Sequence, residues 1–322
     1  MYQLNKYYIC SVIIIIKTLT KKMHNLTANF RKMLDICNIF GKKFTNYNGN
    51  IPRRGVVPKF SDLEVVALNL TAEALSIDSE SLLFNKLKSD YEDDFPNLIS
   101  RRQYNDRRKL LFDLTNKIRK AMAEDIDEFE DTYCVDSKPV EVCRLTREKR
   151  NQMGKNDYDK APSKGYCASQ DRYYFGYKLH VLCGIRGVIH SFDMTKAAVH
   201  DIHYLQDIKT QISDCNILGD KGYLNSAVQL DLFETANIRL EVPMRINQKD
   251  YKPQFYLFKR FRKRVETLFS QLDDQFMLLR NYAKDVNGFF VRVLSKITAV
   301  TALQYLNKIN NRPIGQIKYA MI

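Results

Sequence analysis

The chain has few of the residues that form histidine or thiolate metal sites. It contains only five histidines in 322 residues, and they are dispersed. Its cysteines are odd in number, and no two of them form a Cys-x-x-Cys pair. This pattern argues against a zinc ribbon and against a disulfide framework, and it favours reduced thiols in the cytoplasm. The cysteines are Cys10, Cys37, Cys134, Cys143, Cys167, Cys183 and Cys215.

The N-terminal apolar run is too short to span a membrane. It extends from Tyr7 to Ile16, about ten residues, where a bilayer-crossing helix needs about 20. Thr18 to Lys22 offer no small-residue cleavage site for a signal peptide. We therefore expect translation to begin at Met23, with residues 1–22 a leader outside the native protein, and we expect no membrane partner. The sequence also shows no glycine-rich phosphate loop, which argues against ATP-dependent chemistry.

What the chain does have is positive charge. The net charge is +14, and the hydrophobic content of 45% is that of a folded protein. A strong basic balance favours a polyanionic partner such as nucleic acid. The alternative is that the charge serves solubility alone, since many basic proteins bind no nucleic acid.

Residues 23–128 are predicted to form a small helical module. Helix starts are predicted where capping residues precede apolar periodicity, at Ser61-Asp62, Asp78-Ser79-Glu80 and Ser100, and the last of these helices is predicted to be long. The helix predicted after Ser100 carries a net charge of +6 between residues 101 and 120 (8 − 2). Short helices followed by a basic one are typical of a helix-turn-helix-like DNA-binding module. The alternative is a solvated basic helix over a small core. The candidate DNA contacts on this helix are Arg101, Arg102, Arg107 and Arg108.

Two apolar strands downstream each lead into an aspartate. The segment from Thr132 to Val142 contains Asp136, and the segment from Cys215 to Tyr223 contains Asp220. Either aspartate alone could simply start a turn. If the strands are neighbours, however, their ends lie about 4.8 Å apart, and the two carboxylates can share divalent ions.

A third acid, Glu266, lies on a predicted helix rich in cations. It could be an exposed glutamate paired with Arg262 four residues earlier. A carboxylate from a helix packed on the sheet would instead complete an all-oxygen site suited to Mg²⁺ or Mn²⁺. Five cations within six residues precede it and suit binding of a phosphate backbone, although they could equally form a solvated helix face. They are Lys259, Arg260, Arg262, Lys263 and Arg264. Lys221, next to Asp220, is a further candidate DNA contact.

Four motifs carry a resemblance to a known family. They are Val135-Asp136-Ser137, Tyr174 to His180, Leu218 to Tyr223, and Arg264 to Leu272. In this order they resemble the DDE transposases of bacterial insertion sequences, and more narrowly the insertion-sequence 982 family. The resemblance covers the chain from about Met23 to about Asn310. Lys259 and Asp273 depart from a longer signature of related enzymes, which often have Tyr and Lys at these positions.

The resemblance implies a function and a set of partners. Asp136, Asp220 and Glu266 would be the catalytic acids and would bind two Mg²⁺ or Mn²⁺ ions. The activity would be metal-dependent cleavage of DNA at the ends of an insertion sequence, followed by strand transfer into target DNA. The partners would be double-stranded terminal inverted repeats and target DNA, bound by a homo-oligomer associated with the nucleoid. Two alternatives are a plain RNase H-like nuclease and a non-catalytic DNA-binding protein derived from a transposase.

The expected fold is α/β, with an RNase H-like mixed sheet flanked by helices and preceded by the helical module. A strand, a hairpin from Tyr173 to Thr195, a helix from Asp201 to Ile212 and a second strand predict the order β-β-β-α-β-α over residues 129–310. Residues 144–171 are predicted to be a basic insertion, and residues 311–322 a tail. His200 and Asp201 are predicted to cap the helix, or alternatively to support the acids.

Overall fold

The computed structural model describes residues 25–128, 130–244, 247 and 251–321. The predicted leader and the predicted start at Met23 lie outside these residues. So does part of the connection between the last strand and the helix that carries Glu266.

The N-terminal region is entirely helical, as predicted. Asn25 caps the first helix by accepting from the Ala28 amide at 3.0 Å. Ser61 and Ser100 each begin a helix with a capping box, which satisfies amides that a helix N-terminus leaves free. The helices are α1 (Leu26–Gly41), α2 (Asp62–Ala74), α3 (Glu80–Asp90), α4 (Arg101–Leu110) and α5 (Phe112–Ile126).

The single long helix predicted after Ser100 is wrong, because the structure divides it into α4 and α5. Leu111 takes a non-helical conformation (φ −91°, ψ 14°) and separates the two. The break rotates the buried faces of the two helices relative to each other. Leu110 is 76% exposed, whereas Leu111 and Leu114 lie in the core.

A six-stranded mixed sheet forms the centre of the second half of the chain. Its long strand β3 pairs antiparallel with β1 on one side and with both β2 and β4 on the other. β5 and β6 extend the sheet from β1 in parallel. The strands are β1 (Thr132–Cys143), β2 (Ser163–Cys167), β3 (Arg172–Gly184), β4 (Ile189–Lys196), β5 (Asn216–Leu218) and β6 (Arg239–Glu241).

Four helices pack on this sheet, so the predicted mixed α/β class is confirmed. The helices are α6 (His203–Ile208), α7 (Ser226–Ala236), α8 (Tyr256–Asp274) and α9 (Val286–Ile309). The predicted order β-β-β-α-β-α is observed as β1, β3, β4, α6, β5 and α7, with β2 inserted after β1 and β6 following α7. β2 arises inside the segment that was predicted to be only an insertion loop, and it pairs with the first half of β3.

Helix α9 joins the helical region to the sheet. In the part of the chain that the structure describes, it is the helix long and apolar enough to cross a membrane, but 89% of its most apolar window is buried inside the fold. Helices α1 to α5 and α8, together with several strands, contribute to one hydrophobic core around it. The predicted boundary near residue 128 therefore falls in the link between α5 and β1, with a shared core on both sides.

Buried charges also connect α9 to the N-terminal helices. Lys296 is 1% exposed, and its ammonium lies 2.8 Å from Glu73 on α2 and 3.3 Å from Asp78. Arg292 also pairs with Asp78. Because an unpaired charge in a protein interior is very costly, these pairs fix α9 against α2 and the start of α3.

Candidate active site

Asp136 lies on the face of β1 that packs against the core beneath α8 and α9. Side chains alternate along a strand, and Cys134, two residues earlier, belongs to that core. The intervening Val135 belongs instead to a smaller core on the opposite face, under α6 and α7. Asp136 is partly buried, and one of its carboxylate oxygens accepts from the Ser137 amide at 2.8 Å.

Asp220 occupies the equivalent position after the neighbouring parallel strand. Leu218, the last residue of β5, pairs with Cys134 and belongs to the same core. Asp220 follows two residues later, just as Asp136 follows Cys134 by two. One Asp220 oxygen accepts from the Gly222 amide at 2.8 Å, which closes a tight turn. Asp136 lies within β1, not at its end as predicted, whereas Asp220 lies just past the end of β5. The two aspartates therefore stand side by side on adjacent strands, whose spacing is about 4.8 Å.

The pKa of the Asp136 carboxyl is raised to about 6 from its ordinary 3.8. Burial is the largest cause, and the negative charge of Asp220 adds to it. The Ser137 amide and the Arg262 guanidinium oppose the rise without cancelling it. An elevated pKa produced by burial and a neighbouring carboxylate is typical of functional acid pairs.

The donor set at this pair fits a divalent cation. Among the ion pairs of the described residues, none uses Asp136, Asp220 or Glu266. In each aspartate, one carboxylate oxygen accepts a hydrogen bond from a backbone amide, which leaves the other oxygen for a ligand. Mg²⁺ is usually held by one or two carboxylates, with water and substrate phosphates completing its shell.

Glu266, the third predicted acid, lies on helix α8 and is exposed. Helix α8 crosses β1, where Asp273 pairs with Lys138 at 2.6 Å and Phe269 packs under the same lysine at 5.7 Å. Arg262, one turn before Glu266, acts electrostatically on Asp136. Residues four and seven apart share one side of a helix, so Glu266 lies on the side of α8 that borders β1.

The structure thus brings together two of the three predicted acids. Within residues 25–128, 130–244, 247 and 251–321 there is no group of three or more histidine, cysteine or acidic side chains close enough to hold a metal ion. Asp136 and Asp220 are close enough to interact electrostatically. Glu266 lies on an exposed face of α8.

Asp201 and Tyr223 are two further polar residues beside the acids. Asp201 was predicted to cap a helix, but α6 begins two residues later, at His203, and Asp201 pairs with Lys178 at 2.6 Å. Its charge also contributes to the raised pKa of Asp136. Tyr223 is buried, its hydroxyl has no hydrogen-bond partner among the described residues, and three nearby aspartates help burial to raise its pKa.

Asp201 and Tyr223 carried limited signals in the sequence. Tyr223, and the Asp201 partner Lys178, lie inside the motifs that carry the family resemblance. This position is the one sequence signal that these residues lie near the site. The sequence predicts Asp201 only as a cap or a supporting residue, because its partner Lys178 lies 23 residues earlier on β3 (201 − 178). Such a pairing depends on the sheet register and cannot be read from local spacing.

Most of the predicted DNA-contacting cations are free to meet a ligand. Those on α8 are exposed except Arg262, which is half-buried near Asp136, and Lys221 is exposed beside Asp220. Arg101 and Arg102 are exposed at the start of α4. The exposed cations of α8 are Lys259, Arg260, Lys263 and Arg264.

Arg107 and Arg108 instead hold the helical region together. Arg108 is 7% exposed and pairs with Glu80 at 2.7 Å. Arg107 pairs with Asp62 at 2.5 Å and donates to the Phe60 carbonyl at 2.6 Å. Guanidinium groups committed to buried partners are not available to phosphates without losing those pairs.

Comparison with known proteins gives one match. A family model described as Transposase DDE domain matches residues 127–302, a range that begins at the end of α5 and includes all six strands, α8 and the three predicted acids. No curated protein and no solved structure matches the chain.

Proposed function

Because the chain belongs to the transposase DDE domain family, we propose that it cuts DNA at the ends of an insertion sequence and joins the freed ends to target DNA. Its RNase H-like sheet and transposase class follow from the family match. The specific reactions, the metal dependence and the catalytic acids are our proposal. The four motifs favour the insertion-sequence 982 group within the family.

The observation that carries the proposal is the Asp136–Asp220 pair. Asp136 lies within β1 and Asp220 just past the neighbouring β5, and the pair has no protein cation as an ion-pair partner in the part of the chain that the structure describes. We propose Asp136, Asp220 and Glu266 as the ligands of two Mg²⁺ or Mn²⁺ ions. Divalent ions at such a site supply Lewis-acid stabilisation of a phosphoryl group and a water of lowered pKa.

The chain's own residues orient the acids and the DNA. The amides of Ser137 and Gly222 each fix one carboxylate oxygen, which leaves the other directed at the ligand. The charge of Arg262 stabilises the ionised form of Asp136 against its burial. The ion pair between Lys138 and Asp273 holds α8 against β1. Glu266, on the same helix, is thereby held on the side of α8 that borders β1.

Two successive reactions follow at one site. In the first, the bond between phosphorus and the 3′ oxygen breaks, water supplies the new oxygen on phosphorus, and the leaving oxygen takes a proton. In the second, the freed 3′ hydroxyl attacks a target phosphodiester, so one phosphodiester forms as another breaks. The number of such bonds is conserved in the second reaction, and no nucleotide cofactor is needed.

Exposed cations around the pair form the proposed path of the DNA backbone. Lys221 and the four exposed cations of α8 adjoin the acids, while Arg101 and Arg102 lie on the helical region. Phosphate contacts of this kind position the duplex and make its affinity fall with salt. Activity on two element ends would require a homo-oligomer, which we propose to work on nucleoid DNA in the cytoplasm.

The test is a cleavage and joining assay. The chain from Met23 onward is incubated with Mn²⁺ and labelled DNA carrying the flanking ends of its own gene. We expect metal-dependent nicks at the element ends and, with added target DNA, a joined product. Cutting without any joined product would favour the plain nuclease. Binding without cutting, by a chain shown to assemble on both ends, would favour the non-catalytic alternative.

A further inference from the structure

The hairpin of β2 and β3 displays two exposed tyrosines on one face. Tyr166 and Tyr173 are direct cross-strand partners, 50% and 56% exposed, with ring centroids 5.1 Å apart. The ammonium of Lys164 lies 4.6 Å from the centre of the Tyr173 ring. These three residues are called the tyrosine platform. Large exposed aromatic side chains clustered with a cation mark a binding surface rather than a solvated edge.

The platform is held in place by its surroundings. The Tyr166 hydroxyl donates to Asp171 at 2.6 Å, which fixes the ring. Behind the platform, Gly165 packs so closely on the 197–200 loop that a Cβ there would lie 2.6 Å from the Ala197 carbonyl oxygen. Ser163 accepts from the Ala198 amide at 2.9 Å and anchors the start of β2. A fixed aromatic surface loses little conformational entropy when it binds a ligand.

The platform faces the same side of the sheet as the acid pair. Asp136 pairs with Val181 on β3, and Tyr173 lies eight residues before Val181, an even number of steps along the strand (181 − 173). At about 3.3 Å per residue, the platform lies roughly 26 Å from the acids. Among the β3 residues between them on this face, Leu179 and Tyr177 are buried, and Tyr177 packs on Phe289 of α9. A nucleic-acid strand leaving the acids would therefore reach the platform by passing over α9.

The segment around the platform carries the charge that such a strand needs. Residues 144–171 contain seven lysines and arginines and four acidic residues, a net charge of +3. Lys196, at the end of β4, lies 4.1 Å from the ring centre of the exposed Tyr158. A groove of about 480 Å³ beside the platform is lined by Lys164, His200 and Lys178, although the ammonium of Lys178 is already paired with Asp201.

We propose that the tyrosine platform binds unpaired nucleotides of the DNA strand that extends from the acid site. Tyrosine rings beside lysines stack on the faces of bases, and every base has such a face, so binding needs no particular sequence. Bases in a duplex are already stacked on each other and cannot use the rings. The proposal rests on the proposed function for the identity of the strand, whereas the stacking surface itself rests only on the hairpin.

The test compares single-stranded and double-stranded DNA without metal, so that it does not depend on cleavage. Fluorescence anisotropy is measured with labelled oligothymidylate and with a blunt duplex of the same length. We expect the double variant Tyr166→Ala/Tyr173→Ala to bind the single strand roughly 10- to 100-fold more weakly, with duplex affinity unchanged. Replacing both tyrosines with tryptophan is expected to preserve single-strand binding. Tyr319→Ala, which removes an exposed tyrosine beside Lys318, serves as the matched control and is expected to change neither affinity.

A crosslinking measurement on the unaltered chain covers the case in which the double variant fails to fold. Oligothymidylate carrying 5-iododeoxyuridine is irradiated on the protein, and the crosslinked peptides are identified by mass spectrometry. Crosslinks to Tyr166 or Tyr173 would support the proposal. Crosslinks confined to other regions, single-strand affinity that survives the alanine variants, or an equal loss of duplex affinity would each overturn it. If the cleavage and joining assay fails while crosslinks to Tyr166 or Tyr173 are still observed, the result would count against the proposed function alone.

Discussion

Replacement of Asp136 by asparagine should stabilise the metal-free chain at neutral pH. The carboxyl has a pKa of about 6 in the folded chain against an ordinary 3.8. The folded state therefore holds its proton more tightly, and the cost of ionising it grows as the pH rises from about 4 to about 6. The full cost is up to about 3 kcal/mol, taking about 1.4 kcal/mol for each tenfold change. Asparagine carries no charge and can still accept from the Ser137 amide.

The assay is urea unfolding of both chains, in the presence of a chelator, at about pH 4 and about pH 8. The stability difference in favour of Asp136→Asn should be small at the lower pH and should approach a few kcal/mol at the higher one. Asp35→Asn, which changes an exposed carboxylate on α1, should show no such pH dependence. An equal difference at both pH values would refute the reasoning, as would destabilisation at the higher pH.

Three further predictions follow from the same structure. Lys296→Ala should lower the unfolding free energy in urea by about 3–5 kcal/mol because it leaves the buried Glu73 carboxylate unpaired, whereas Lys308→Ala, at an exposed pair, should cost less than about 1 kcal/mol. Equal effects of the two would contradict the buried-pair account. Gly176→Ala should lower the thermal midpoint sharply, since a Cβ there would lie 2.2 Å from a carbonyl oxygen of β1, and an unchanged midpoint would show that the strands can separate. Millimolar Mg²⁺ should raise the melting temperature of the unaltered chain but not that of Asp136→Asn, because only a folded site binds the ion, and equal shifts would argue for binding elsewhere.

The strands and the acid pair were within reach of the sequence because their signals are local. An apolar run ending in aspartate occurs twice, and side-chain alternation puts both aspartates on the same face once the strands are neighbours. The glycine at position 176 of the second motif also has a physical explanation, since the close approach of β1 excludes a side chain there. Capping boxes at Ser61 and Ser100 likewise marked true helix starts.

What the sequence could not show depends on tertiary partners. The sequence predicts Arg107 and Arg108 as surface cations. In the fold they form ion pairs with Asp62 and Glu80, which are distant in sequence. The break at Leu111 was hidden because consecutive leucines suit either one helix or two. Strand β2 was missed because its pairing comes from β3 and its polar, glycine-containing sequence has a weak strand signal.

The measurement that most directly tests the central claim is end cleavage by acid variants. Asp136→Asn, Asp220→Asn and Glu266→Gln are compared with the unaltered chain in Mn²⁺, with binding to the same DNA measured in parallel. Asp231→Asn, which removes an acid paired with Lys209 away from the site, is the control. We expect each of the three variants to bind the DNA and to lose cleavage by at least about a thousandfold, while the control keeps both. Cleavage that persists in Asp136→Asn or Asp220→Asn would contradict the assignment of the Asp136–Asp220 pair as the reactive site.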